Sequence, residues 1–65
     1  MPMSFNALRV GKKYRLVNYG ETSEFTVEKI KDEQIEVKDI HTTENYTLHD
    51  LIKFGKGKDY DLLEL

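Results

Sequence analysis

Apolar and polar residues alternate with a period of two along most of the chain, the spacing of strands that bury one face. In KKYRLVNY (12–19), Tyr14 and Leu16 fall on one face and Arg15, Val17 and Tyr19 on the other, so this strand has an unusually apolar second side. GETS (20–23) has turn chemistry, and a hairpin follows from it. In EFTVEKIK, Phe25 and Val27 share a face, but Ile30 breaks parity, as a residue does beyond a β-bulge or a sharp bend. Asp32-Glu33 is short enough for a tight turn and lacks the glycine that common hairpin turns prefer. QIEVKDI alternates through Ile35 and Val37 and slips at Ile40, and paired slips on neighbouring strands suggest one shared bend. HTTE (41–44) is the next turn. Tyr46 and Leu48 fit a short strand, whereas Leu48, Leu51 and Ile52 have the spacing of a single helical turn, with Gly55 where a helix end favours a left-handed residue. YDLLEL (60–65) closes the chain as a strand.

The pattern predicts an all-β domain: a five-stranded antiparallel barrel with one short 3₁₀ or α turn before the last strand. Residues 1–7 form an N-terminal extension and 8–65 the single domain. At 65 residues only about 60% of the unfolded surface can be buried, so a small core has to use nearly all of its apolar residues. The absence of cysteine excludes disulfides and a Cys-based zinc site. No apolar run has the length of a membrane helix and 1–10 lacks the plan of a signal peptide, so a cytoplasmic protein with no membrane partner is expected. Asn45-Tyr46-Thr47 matches the glycosylation pattern but reads as strand in that setting.

In order, GKKYRLVNYG, EFTVEKI, QIEVKDI and the helical turn in TLHDLIKFG resemble the layout of SH3-like barrels, particularly their Tudor-like and Sm-like branch. The resemblance runs from about Leu8 to Leu65 and lies in pattern and spacing, without a diagnostic motif. It implies a binding module: proteins of this fold take methylated side chains, proline-rich peptides, RNA or ribosomal surfaces. Fold analogy narrows the class and leaves the ligand open.

Chemistry-bearing residues are sparse. His41, His49, Ser4 and Ser23 have no catalytic framing, and His49 and Asp50, as strand neighbours, would point to opposite faces. A non-catalytic protein without cofactor is expected. The two histidines with Asp39, Glu44 and Asp50 lack metal-ligand spacing, and the acids read as a solvated face. Tyr14, Tyr19, Phe25 and Tyr46 could wall an aromatic cage for a methylated cation, with Glu21 and Glu24 attracting it. Tyr14, Phe25 and Tyr46 share the inward parity, however, and read as core, which leaves Tyr19 as an exposed anchor.

FGKGKDY (54–60) lacks the spacing and flanking elements of a phosphate-binding loop and reads as a corner into the last strand. Charge is unevenly placed. Residues 1–20 carry Arg9, Lys12, Lys13 and Arg15 and no acid, while 21–50 hold nine acids against three lysines. If the first and last strands adjoin, Lys12, Lys13 and Arg15 could join Lys53, Lys56 and Lys58 in one basic patch, with Tyr19 or Tyr60 offering a stacking ring. The leading expectation is a protein-interaction module that self-associates through a strand edge or through Leu62, Leu63 and Leu65. The alternative is RNA or single-stranded nucleic-acid binding on the lysine patch, and a third reading is methylated-ligand recognition.

Overall fold

The computed structural model describes residues 3–32 and 34–65. Strands β1 (Lys13–Asn18), β2 (Glu21–Lys31), β3 (Gln34–Asp39), β4 (Asn45–Thr47) and β5 (Asp61–Glu64) form one antiparallel sheet in the order β4-β3-β2-β1-β5. A 3₁₀ turn over Phe5–Ala7 precedes the sheet, and a second, Leu48–Ile52, leads from β4 towards β5. Mostly β structure with five antiparallel strands and a short 3₁₀ turn before the last is therefore what the alternation foretold. Closure is not observed. β4 and β5 are the two edges of the sheet and do not pair, so the hydrogen-bonded ring of a barrel is left open. The segment 48–60 crosses from one edge to the other and buries Leu48 on the way.

The inward parity holds. Tyr14, Leu16, Phe25, Val27, Val37 and Leu62 are almost wholly buried, and Leu8, Ile35 and Leu48 complete the cluster. The Tyr14 and Phe25 rings pack 6.2 Å apart, and the Tyr14 hydroxyl accepts the Arg9 amide at 2.9 Å, which settles the one polar atom those rings carry inward. Met3 and Phe5 of the N-terminal extension pack against the same cluster; residues 1–2 of that extension lie outside the described residues. Among the described residues no helix is long and apolar enough to cross a membrane.

Three turns decide where functional groups can stand. The β1–β2 turn is two residues, Tyr19 and Gly20, both with positive φ (50° and 77°). This is the form that matches strand twist in a two-residue hairpin. The turn thus sits one residue earlier than 20–23, and Tyr19 leaves the strand assigned to it by alternation. Between Val27 and Lys29 the β2–β3 register shifts, so Glu28 is the extra residue of a bulge, as the parity break at Ile30 predicted. The bulge returns Ile30 to the face of its partner Ile35. The slip at Ile40 has a different cause: β3 ends at Asp39, and Ile40 already belongs to the following turn. The expected Asp32-Glu33 turn falls partly outside the described residues, and Asp32 itself has φ 53°.

At the β5 edge the outward carbonyl of Leu62 accepts the Met3 amide at 3.0 Å, and the Leu62 amide donates to the Asp61 carboxylate at 3.0 Å. Leu62, expected to share in self-association with Leu63 and Leu65, is a core residue at 1% exposure; Leu63 and Leu65 are exposed.

Candidate functional site

The glycine- and lysine-bearing loop 53–59 is a corner, and one buried side chain makes it so. Asn18 ends β1 on the inward parity, where its amide nitrogen donates to the carbonyls of Leu51 (3.1 Å) and Gly55 (3.0 Å) and its oxygen accepts the Gly57 amide at 2.7 Å. At 5% exposure Asn18 replaces the hydration these backbone groups would lose, and the loop is held against the end of β1. Gly55 has φ 94°, the left-handed conformation the helix end required.

Asp59 then fastens the hairpin tip. Its two carboxylate oxygens accept the Tyr19 amide at 2.9 Å and the Gly20 amide at 2.7 Å. A charged acceptor on both amides fixes a turn in which a non-glycine residue has positive φ. The Tyr19 ring lies against Gly57, where an added Cβ would come within 2.9 Å of it, and the Tyr19 hydroxyl donates to the Phe54 carbonyl at 3.1 Å.

These contacts frame a cleft of about 420 Å³ between the hairpin tip and the second 3₁₀ turn. Leu16 and Leu51 contribute apolar walls, Tyr19 and Phe54 stand at its sides, and Glu21, Asp50 and Lys53 supply charge. Tyr19 is 59% exposed and Phe54 82%. Lys53 holds its ammonium 5.2 Å from the Phe54 ring centre, within cation–π range.

The residues singled out in the sequence are not all gathered here. Tyr19 and Lys53 line the cleft; Lys58 follows Gly57 in the same loop, and Lys56 turns away to lie 4.8 Å from the Tyr60 ring and 5.9 Å from Phe5. Lys12 and Lys13 lie at the other end of β1, about 17 Å of extended strand from Asn18. Arg15, on the outward face, is engaged with Glu24 (Nε to Oε2, 2.8 Å). The Tyr60 hydroxyl is buried without a partner among the described residues, and burial, then the neighbouring Asp61, pushes its ionisation upward.

The proposed cage residues are likewise dispersed. Tyr14 and Phe25 are core, and Tyr46 is half-buried with its hydroxyl 3.4 Å from Asp39, pushed up to about 12 by burial first and by Asp39 second. Glu24, bonded to His41 (2.7 Å) and Arg15, is held below the usual carboxylate range by those hydrogen bonds in that order. Among the described residues no three acidic or imidazole groups converge as a metal site would need.

Alternation missed Phe54, Asn18 and Asp59. Asn18 did carry a signal, a polar residue on the buried parity of an apolar strand. Comparison with protein-family models, with curated proteins and with solved structures found no match.

Proposed function

We propose that the protein is a non-catalytic interaction module, an SH3-like small barrel in architecture, that receives an extended peptide segment of a partner protein in the cleft between the hairpin tip and the second 3₁₀ turn. One observation carries the reading: two aromatic side chains, Tyr19 and Phe54, stand largely in solvent along one apolar-walled cleft while Asp59 holds the Tyr19 amide and the Tyr19 hydroxyl holds the Phe54 carbonyl. Aromatic rings on a rigid frame lose little freedom on binding, and such residues supply most of the energy in peptide and protein interfaces. A Phe this exposed, with only the flexible Lys53 side chain noted over its ring, contributes little to folding, so its placement is better accounted for by a partner. The nucleic-acid alternative has less support, because Glu21 and Asp50 face the cleft and Lys12 and Lys13 lie far from it.

The test is selection from a displayed random-peptide library on immobilised protein, followed by titration calorimetry of the selected peptides. Loss of at least tenfold in affinity on Phe54→Ala, with the fold intact, is expected. Peptides that bind Phe54→Ala as well as the parent would refute the cleft as the site.

A further inference from the structure

A second surface, on the opposite side of the 3₁₀ turn, has a different chemistry. Two clefts of about 510 and 420 Å³ meet at Phe5 and His49, whose rings pack edge to face at 5.8 Å. The first reaches Ile30 and Ile35, brought to one face by the bulge at Glu28, and the second ends at Ile52 and Tyr60. Along this line stand Arg9, His49 and Lys56. The Arg9 guanidinium donates to the carbonyls of Asn6 (3.2 Å) and Leu8 (3.0 Å), and Lys56 rests over the Phe5 and Tyr60 rings. Among the described residues none of the three has a carboxylate partner. Among the described residues Asp32 is the one acid in the lining, in the same cleft as Arg9 and His49.

We infer that this groove binds an extended acidic segment of a partner protein in which bulky apolar side chains alternate with carboxylates. The alternation suits a floor of Ile30, Ile35 and Phe5 rimmed by Arg9, His49 and Lys56, since an extended chain presents one face down and the other to the rim. Cations held on carbonyls and rings are partly ordered before a carboxylate arrives, which lessens the entropy lost on pairing. At the cleft of Tyr19 and Phe54 the carboxylates of Glu21 and Asp50 outnumber the ammonium of Lys53, which disfavours the same segment there.

The probe is a blocked octapeptide alternating glutamate and leucine, titrated into ¹⁵N-labelled protein, with a lysine–leucine octapeptide and oligouridylate as comparators. Saturable shifts centred on Phe5, Arg9, Ile35 and His49 are expected with the acidic peptide alone, weakening as salt is raised. Arg9→Gln with Lys56→Gln should reduce affinity at least tenfold; Lys56→Gln alone, at an exposed side chain, should reduce it severalfold without disturbing the fold. Phe54→Ala should leave this binding unchanged, which separates it from the cleft reading. Absence of shifts, equal response to the lysine peptide, shifts centred on Tyr19 and Gly57, or tighter binding of oligouridylate to the groove would each overturn the inference.

Discussion

Two turns of this sheet are held by the same chemistry, an aspartate whose carboxylate accepts two successive backbone amides, but the aspartates come from very different places. In the turn after β3, Asp39 accepts the amides of His41 (2.7 Å) and Thr42 (2.9 Å) from within its own turn. At the hairpin tip, Asp59 accepts those of Tyr19 and Gly20 across a separation of 40 and 39 residues. The first arrangement can form wherever the local chain folds back, because the aspartate and its amides are already neighbours. The second exists only when loop 53–59 is docked on β1. The shape of the candidate cleft is thus a property of the whole fold, and the turn after β3 is a property of a few residues.

The sharpest way to break the contrast is Asn18→Ala. It removes the docking contacts to the part-buried backbone groups of Leu51, Gly55 and Gly57, at a cost of about 2–3 kcal/mol in urea unfolding. Peptide selection at the cleft should fail in this variant. Asp59→Ala comes next, at about 1–2 kcal/mol for two charge-assisted bonds at an exposed site, and amide shifts should change both at Tyr19 and Gly20 and in the loop. Asp39→Asn should lower the unfolding midpoint less than Asp59→Ala, with shifts confined to the turn after β3 and to Tyr46 beside it.

Its pH behaviour sharpens the same comparison. The Thr42 and His41 amides hold the Asp39 carboxyl below its ordinary value. A depressed carboxylate stabilises the fold above its unfolded value and loses that contribution as pH falls through the folded one, so parent and Asp39→Asn should converge in acid. At the alkaline end, Tyr46 beside Asp39 is pushed up to about 12 from 10.0. Its neutral form favours the folded state, fully below pH 10 and decreasingly as pH approaches about 12; Tyr46→Phe should flatten that alkaline loss in chemical denaturation. The smallest effect is expected from Phe54→Ala, within about 0.5 kcal/mol of the parent in stability, because its side chain is mostly in solvent.

What could be read from the sequence follows the same division between local and distant. The strands, the bulge before Ile30, the 3₁₀ turn and left-handed Gly55 each carry their cause within a few residues. The core was legible for the same reason, since parity alone places Tyr14, Phe25 and Val37 inside. The hairpin tip was misplaced by one residue because nothing adjacent to Tyr19 announces a positive φ; its cause is Asp59. The lysines were pooled into one patch because adjacency of first and last strands is correct, β1 pairing with β5, yet says nothing about which end of β1 receives the loop. Phe54 escaped notice because exposure of a large ring has no periodicity to betray it.

The Met3 amide seated on the outward carbonyl of Leu62, with the Asp61 carboxylate on the amide of the same residue, has a bearing on how this protein behaves at high concentration. A residue whose outward amide and carbonyl are both already occupied cannot template an incoming strand. Fibril growth along β5 would therefore have to dislodge the N-terminal segment first, and a truncation that removes Met3 should shorten the lag before thioflavin-positive material forms.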